Sequence, residues 1–291
     1  MLVMDHAPTA LLATRGLGLP RVNLGDGFCI PPATRPLPLF RWWQRGNSAR
    51  QGDSEERVRQ VANEVLFALG APPLLSLSEL LDCDASLFCS FAELDHYPGR
   101  AGGEFIGPLF ALGQGEPATW PAGDAPGVFA YLKPGYVALD RALAALREAP
   151  VRVLAHVPGA ARATLTRFAS STLCFSEAPV DIEGARTACD LAICHGGHGT
   201  TAAMLLAGKP LLLLPMHSEQ AMTAHRLETL GVALSALPDA AGQLQRLLKR
   251  ALAEPRLGDA ARAFAAAHHP YDQATAIAYA TDRCESLLEA H

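Results

Sequence analysis

The residues whose types and spacing suggest chemistry lie in one glycine-rich stretch. In order, they are His195, Gly196, Gly197, His198, Gly199, Thr200 and Thr201. The apolar run 190–194 before them predicts a strand, and the run 200–207, closed by Gly208 and Pro210, predicts a helix. Glycines let a backbone approach an anion closely, and a helix N-terminus directs free N–H groups at it, to which the histidine and threonine side chains add donors. The stretch therefore predicts a phosphate-binding turn, in which His195 donates to a diphosphate oxygen.

The turn admits four other interpretations. Tight packing alone stays open for a lone glycine cluster. A P-loop requires Gly-Lys-Ser/Thr, but Gly208-Lys209 runs into Pro210, and the Gly-x-Ser-x-Gly elbow that accompanies an esterase His-Gly-Gly is absent from the sequence. Zinc bound by the two histidines of the turn requires a third ligand, for which His217 and His225 are the candidates, and zinc turns are seldom so rich in glycine. The phosphate interpretation is favoured.

The elements around the turn predict a parallel sheet. Apolar, strand-like runs alternate with helical stretches; the strand-like runs are 128–132, 151–157, 172–175, 190–194 and 211–214, and the helical ones include 135–148 and 219–230. This alternation is typical of a Rossmann-like α/β domain whose sheet is covered on both faces. Ligands bind such sheets beyond the carboxyl ends of the strands, where the turn falls.

The first half of the chain is less regular. It contains helical stretches at 9–18 and 54–70 and strand-like runs at 21–24 and 86–90, with a Gly- and Pro-rich linker candidate at 107–126. Within the second helix, the apolar residues at helical spacing are Val58, Val61, Val65, Leu66 and Leu69. They predict the apolar stripe of an amphipathic helix.

Composition narrows the function classes. The formal net charge of −5 argues against a nucleic-acid partner, which requires a basic face. Seven scattered cysteines, an odd number, indicate reduced thiols rather than a disulfide framework. The first residues lack the basic start of a signal peptide, and no apolar run reaches the ~20 residues that cross a bilayer. We expect a cytoplasmic protein, with the inner face of the membrane as the alternative location.

The stretch 189–231 resembles a known signature. Its landmarks, in order, are Cys189-Asp190, the glycine-rich turn, Ala207-Gly208-Lys209-Pro210, Leu214-Pro215, Glu219-Gln220 and Leu230-Gly231-Val232. Their order and spacing are similar throughout to the donor signature of UDP-glycosyltransferase-like enzymes. The resemblance implies an α/β chain of the GT-B type, with two Rossmann-like domains and parallel sheets. It also implies inverting transfer of a sugar from a nucleotide diphosphate sugar, which is a co-substrate, with no cofactor and no obligatory metal.

The resemblance also implies roles for individual residues. The turn 195–201 matches the diphosphate-binding element, and Glu219 and Gln220 match the pair that hydrogen-bonds sugar hydroxyls. Pro179 and Val180 fall where the family often has a Trp-x-Pro-Gln element against the nucleobase, and Ala203 falls where it often has a glutamate for the ribose. Because both nucleoside contacts depart from the pattern, UDP is the expected nucleotide and dTDP the runner-up.

The amino-terminal half resembles the end of the acceptor domain of the same family. The segments 3–8, 10–20 and 93–97 carry this likeness. Asp5 falls on the aspartate that holds the catalytic histidine in many relatives, and a helix N-cap is an equal alternative for it. We therefore expect an incomplete acceptor domain at 1–121 and a donor domain at 122–291, whose terminal helix 271–288 can pack back on the first domain.

The catalytic histidine itself is expected outside this sequence. Three explanations stay open: a truncated or mis-started product, a second polypeptide that completes the amino-terminal domain, or a donor-binding module without turnover. A GT-B nucleotide-sugar epimerase is the alternative enzyme. Phe40, Trp42, Trp43 and Phe91 are candidates for an apolar acceptor cleft, with ordinary packing as their alternative, and small-molecule, lipid and saccharide acceptors are all open.

Overall fold

The chain forms two compact units. The computed structural model describes residues 1–44, 48–110, 115–237 and 243–290. One unit combines Met1–Leu109 with Asp272–His291, and the other is Phe110–Tyr271. The domain boundary expected from the sequence, between 121 and 122, stays a prediction.

Both units are built from strands and helices of moderate length. The strands are β1 (Leu2–Met4), β2 (Arg21–Gly25), β3 (Ala85–Phe88), β4 (Glu104–Phe105), β5 (Gly127–Tyr131), β6 (Arg152–His156), β7 (Leu173–Ser176), β8 (Leu191–Cys194), β9 (Leu211–Leu213) and β10 (Ala233–Ser235). The helices are α1 (Pro8–Ala13), α2 (Ser48–Ala68), α3 (Leu139–Glu148), α4 (Arg162–Phe168), α5 (Ile182–Ala188), α6 (His198–Leu206), α7 (Ser218–Thr229), α8 (Gln243–Ala253), α9 (Pro255–Ala267) and α10 (Gln273–Glu289). Within the described residues, no helix combines the length and the apolar character needed to cross a bilayer.

The second unit is a six-stranded parallel sheet. Its strand order is β10-β9-β8-β5-β6-β7, and every neighbouring pair is parallel. The chain moves outward from β5 through β6 to β7, then returns to the other side of β5 with β8. This reversal is a topological switch point, where the connections leaving two neighbouring strands diverge and open a crevice. The predicted α/β class with parallel sheets is confirmed.

Continuous apolar strands make this sheet possible. Val128 and Ala130 of β5 and Ile193 of β8 have no exposed surface, and on one face they belong to a cluster with Leu143 and Leu146 of α3. The intervening residues, such as Phe129, are buried as well. Because both faces are covered, the strands lack the alternation of a half-exposed sheet and show the near-continuous apolar runs that the sequence displays.

The first unit is a smaller sheet of the same kind. Its four parallel strands lie in the order β1-β2-β3-β4. Helix α10 supplies Ala280, Cys284 and Leu287, which pack against a buried cluster that includes Val22 and Leu87. The last helix of the chain is therefore part of the first unit's core.

Helix α2 buries a different face from the one that the sequence predicted. Val58, Val61 and Val65 are exposed, whereas Leu66 is 1% exposed and lies with Ala62 in a small core cluster. The predicted apolar stripe is thus wrong in its orientation.

The reason for this orientation is a polar contact. Asn63 accepts a hydrogen bond from the backbone N–H of Leu74 at 2.7 Å and donates to the Leu74 carbonyl at 3.0 Å, while Arg59 donates to the same carbonyl at 3.1 Å. Since the segment after the helix folds back onto this side, residues 59, 62, 63 and 66 face inward. The valines, one or three positions away, face outward.

The two faces of α2 give a paired stability prediction. Leu66→Ala is expected to lower the free energy of unfolding by about 2–5 kcal/mol, because it leaves a cavity beside Leu74. Val61→Ala, on the exposed face, is expected to cost no more than about 0.5 kcal/mol. Urea denaturation followed by circular dichroism measures both. Equal losses in the two variants would show that the inward face has been misidentified.

Candidate functional site

The glycine-rich turn lies at the switch point of the six-stranded sheet. The turn follows β8, which is next to β5 in the sheet. After β5 the chain continues to β6 and β7 on one side, and after β8 it continues to β9 and β10 on the other. Gly196 has φ +90°, a conformation that favours glycine, and a Cβ there would make a tight contact, 3.3 Å from the Gln220 carbonyl oxygen. At Gly197 a Cβ would meet no atom within 4 Å. The backbone at Gly197 is therefore open to a ligand.

Helix α6 begins directly at the turn. Gly197 is its N-cap, has no side chain to cap the helix, and its carbonyl accepts the first intrahelical bond, from Thr201 N–H at 3.1 Å. The N–H groups of the residues before Thr201 are left by helix geometry without an intrahelical acceptor. Together with the helix dipole, they form a site of partial positive charge suited to an anion.

The side chains of the first helical turn differ in access. His198, Gly199 and Thr200 are partly exposed, whereas Thr201 is 2% exposed. The Thr201 hydroxyl is therefore packed inside the unit, and Thr200 is the threonine that a ligand can reach. The predicted pair of hydroxyl donors is reduced to one.

His195 ties three connections together. Its ring is 3% exposed, Nδ1 lies 2.7 Å from the Leu214 carbonyl oxygen after β9, and Nε2 accepts the backbone N–H of Lys133 at 2.9 Å after β5. The imidazole must therefore be neutral, with its proton on Nδ1. This revises the role expected from the sequence: the ring has no N–H left for a diphosphate oxygen, and neither nitrogen is free to bind zinc.

The surroundings keep this ring uncharged. Burial lowers the pKa of His195 below its ordinary value, and the positive charges of Lys133 and His217 lower it further, against the opposing effect of the Leu214 carbonyl. Tyr136, in the β5–α3 connection, packs its ring 5.1 Å from the imidazole. His195 is thus a neutral cross-link in the floor of the site.

The predicted sugar-binding pair begins helix α7. Glu219 lies in its first turn, and its carboxylate is 4.0 Å from Nδ1 of His217. Gln220 is 7% exposed, and its side-chain oxygen accepts the Met216 N–H at 2.8 Å. The amide oxygen of Gln220 is therefore used by the β9–α7 connection, and its amide nitrogen is the group that can donate to a ligand.

The predicted nucleobase residues follow β7. The Glu116 N–H donates to the Pro179 carbonyl, and the Asp181 N–H donates to the Glu116 carbonyl, both at 2.8 Å. The two bonds use the backbone groups of the residues before and after Val180. The N–H and C=O of Val180 itself take no part in this bridge to Glu116. Ala203, at the position of the family's ribose glutamate, is buried inside α6.

These segments are arranged along one edge of the sheet. Val180 follows β7, the glycine-rich turn follows β8 and Glu219 follows β9, at the carboxyl end in each case. Neighbouring strands lie about 4.8 Å apart, so the row spans roughly 20 Å. The structure therefore places the predicted base, diphosphate and sugar contacts in the chemical order of those three groups.

Lys133 is a residue of this edge that sequence reasoning missed. It lies two positions after β5 and is exposed, with its backbone N–H on His195. The signal that would have identified it is positional: the strand on the far side of a switch point contributes its first loop residues to the same crevice. That strand order is not visible in the sequence.

Asp5 lies at the carboxyl edge of the first unit's sheet. It is exposed directly after β1, beside Gly25 at the end of β2, and no residue in the described ranges hydrogen-bonds its carboxylate. The N-cap of α1 is Ala7, without a side-chain cap. The helix-capping alternative for Asp5 is therefore wrong.

The aromatic candidates are also in the first unit. Phe40 and Trp42 are more than two-fifths exposed. Phe40 stacks on Phe28 with ring centroids 5.3 Å apart, and the Trp42 indole N–H donates to the His96 carbonyl at 3.3 Å. Trp43 packs edge-on against Trp42, and Phe91 is the N-cap of a short 3₁₀ helix at Ala92–Leu94. The accessible aromatic faces are thus those of Phe40 and Trp42.

Comparisons with known proteins agree with this architecture. Residues 180–273 match the glycosyltransferase family 28 C-terminal domain. A PGL/p-HBAD biosynthesis rhamnosyltransferase of Mycobacterium bovis is 28% identical over 253 residues, which are 79% of this chain and 55% of that protein. A PGL/p-HBAD biosynthesis glycosyltransferase of Mycobacterium tuberculosis is also 28% identical, over 79% of this chain and 57% of its own length. The chain thus spans about half the length of these relatives.

Solved structures share the fold. The spinosyn rhamnosyltransferase SpnG complexed with thymidine diphosphate has a TM-score of 0.72 and 22% identity, covering 97% of this chain and 72% of its own. The same enzyme complexed with spinosyn aglycone has a TM-score of 0.71, with the same identity and coverage. At this identity the likeness concerns the fold.

The neutral His195 ring gives a prediction with a defined pH dependence. Its pKa is lowered from 6.5, so as pH falls the unfolded chain takes this proton first. Its contribution to stability is therefore complete above about pH 6.5 and declines as pH falls through the folded pKa. Nitrogen-15 NMR of the histidine rings at pH 6, assigned with His195→Gln, is expected to show His195 neutral with Nδ1 protonated. A doubly protonated ring would contradict the cross-link.

Proposed function

Because the chain belongs to the GT-B-fold glycosyltransferases, we propose that it binds a nucleotide diphosphate sugar at the carboxyl edge of the six-stranded sheet and serves sugar transfer to an acceptor. The family membership expected from the signature at 189–231 is confirmed. The observation that carries the proposal is the glycine turn and bare helix N-terminus at the switch point.

The diphosphate is assigned to the turn at 195–201. The open backbone at Gly197, the first N–H groups of α6 and the Thr200 hydroxyl are the donors on this side. Fixed N–H groups of this kind stabilise negative charge without reorganisation as a leaving diphosphate forms. They support transfer without an obligatory metal, in which the nucleotide sugar is a co-substrate and no separate cofactor takes part. Inversion at the anomeric carbon is proposed from the resemblance of the signature alone.

The nucleotide is proposed to be a pyrimidine nucleoside diphosphate. The backbone N–H and C=O of Val180 are a donor and an acceptor, which complement the N–H and carbonyl groups of a uracil or thymine edge. UDP is the donor nucleotide that the signature favours. The thymidine diphosphate named with SpnG supports dTDP, so both enter the binding test.

The sugar is assigned to the start of α7. The Glu219 carboxylate and the amide nitrogen of Gln220 offer an acceptor and a donor to hydroxyl groups at the end of the row. The spinosyn aglycone named with SpnG directs the first acceptor screen to small-molecule aglycones, and lipid acceptors are screened beside them. Saccharides follow as the second group.

A donor-binding subunit that requires a second polypeptide is the alternative function. The observation that favours it is apolar surface on the first unit: Val3 on the edge strand β1, and Val58, Val61 and Val65 on α2, are 44–55% exposed. Exposed strand edges and apolar stripes are typical of surfaces that another chain covers. We propose a cytoplasmic location for the chain under either function.

Titration calorimetry with UDP, dTDP and GDP tests the proposed function. The chain is expected to bind UDP or dTDP and to bind GDP more weakly, because a purine does not present the same edge to Val180. Absence of binding by all three nucleotides would remove the donor-site proposal. Binding without sugar transfer to any aglycone would favour the subunit alternative.

Gly197→Ala is the matched variant for this titration. Its methyl group meets no protein atom and φ is −65°, so the loss of stability is expected to stay below about 1 kcal/mol. The methyl group would occupy the ligand's side of the turn, and the affinity for UDP is expected to fall at least about tenfold. Gly52→Ala in α2, equally free of neighbours, is the control that leaves affinity unchanged.

Asp5 is proposed to orient the catalytic base, as in the relatives that share its motif. In a preparation that transfers sugar, Asp5→Asn is expected to lower kcat about 100-fold or more and to leave the Kd for UDP unchanged, because the carboxylate acts on the imidazolium that forms during the reaction. Steady-state kinetics and calorimetry give the two values. An unchanged kcat would exclude this role.

A further inference from the structure

We infer that Lys133 supplies the positive charge that neutralises the donor diphosphate, a role that rests on the proposed function of the same edge. Lys133 lies outside the signature at 189–231, in the connection after β5. It is a binding residue for the phosphates rather than a group that transfers a proton.

The first step is the position of its backbone. The Lys133 N–H donates to Nε2 of His195 at 2.9 Å, so its Cα is held beside the residue that opens the glycine turn. Gly135, two positions later, has the Met216 methyl group 3.9 Å from where a Cβ would be. The β5 connection therefore approaches the connections that follow both β8 and β9.

The second step is the charge that the rest of the site lacks. A nucleoside diphosphate brings more than one negative charge, whereas a helix N-terminus offers an equivalent of about half a positive charge. His195 adds none, because Nε2 is an acceptor and the Nδ1 proton is directed to Leu214. The turn alone therefore leaves the phosphates without a full cation.

The third step is the supply of cations at this edge. The connections after β5, β8 and β9 are residues 132–138, 195–197 and 214–217, and Lys133 is the sole lysine or arginine in them. It is exposed, and within the described part of the chain it forms no ion pair that would occupy its ammonium group. The backbone hydrogen bond to His195 starts this side chain beside the turn.

The side chain suits this role. Lysine carries a compact charge on a flexible four-carbon stem, which lets the ammonium follow phosphate oxygens as the diphosphate leaves. Its backbone is fixed by the His195 bond while its tip is free. Ammonium–phosphate contacts are charge-assisted hydrogen bonds and are among the stronger contacts that a ligand makes in an exposed crevice.

The experiment compares Lys133→Met and Lys133→Arg with the wild-type chain. Calorimetry is run with UDP, UMP and uridine at low and high salt, using dTDP, dTMP and thymidine if the wild type prefers dTDP. Lys133→Met is expected to weaken UDP binding by about tenfold to a hundredfold, to weaken UMP binding less and to leave uridine unchanged. The same substitution is expected to make the affinity for UDP depend less on salt concentration. Lys133→Arg should restore most of the affinity.

Lys249→Met is the matched control. Lys249 is exposed on α8 and lines a groove with Pro126 and Pro150, which precede β5 and β6, so it belongs to the opposite edge of the same sheet. Its removal makes the same change in net charge and is expected to leave UDP affinity unchanged. Thermal melting of each variant checks that the fold is retained, which is expected because the hydrogen bond to His195 comes from the Lys133 backbone.

The outcomes separate the two claims. Wild-type binding with an unchanged affinity in Lys133→Met overturns the role of Lys133 and leaves the donor site standing. An equal loss of uridine and UDP affinity in Lys133→Met also overturns it, because the effect would then not concern phosphate. Absence of nucleotide binding by the wild-type chain overturns the proposed function itself.

Discussion

The candidate site depends on one neutral imidazole. His195 donates to the connection after β9 and accepts from the connection after β5, while its own backbone opens the turn after β8. A parallel sheet brings the ends of these strands to one edge but does not set the conformation of the loops beyond them. Two hydrogen bonds from a buried ring do so here. They determine where the glycine backbone, the start of α6 and the Lys133 side chain stand relative to one another.

The residues that hold the loops around the crevice differ from those that are accessible to a ligand. His195 and the side-chain oxygen of Gln220 are turned inward and hold the loops through hydrogen bonds, and the Thr201 side chain is buried as well. The backbone at Gly197 and the Thr200 side chain remain accessible. A buried polar group is stabilising only when it is fully hydrogen-bonded, so the same residue seldom serves both purposes. Several residues of the glycine-rich motif are therefore structural, and the proposed donor contacts fall on the others.

The parallel sheet and the glycine turn before a helix could be predicted from the sequence because both depend on local pattern. Apolar runs of strand length and a glycine turn before a helix are contiguous features. The inward role of His195, by contrast, depends on Lys133 and Leu214, which are distant in the chain. The rotation of α2 was misjudged for a similar reason: Asn63 binds the backbone of Leu74, and a polar side chain outweighed the apolar periodicity. Contacts of this kind are set by tertiary structure and leave no periodic trace.

The anchoring of α2 by Asn63 also affects the solubility of the folded chain. Because the two bonds to Leu74 and the burial of Leu66 hold the helix in one rotation, its valines cannot turn inward when no other surface covers them. Their contact with water is a fixed property of the folded unit and not a transient fluctuation. Salts that strengthen the hydrophobic effect, such as sulfate, should therefore bring this chain out of solution at unusually low concentration while it is still fully folded.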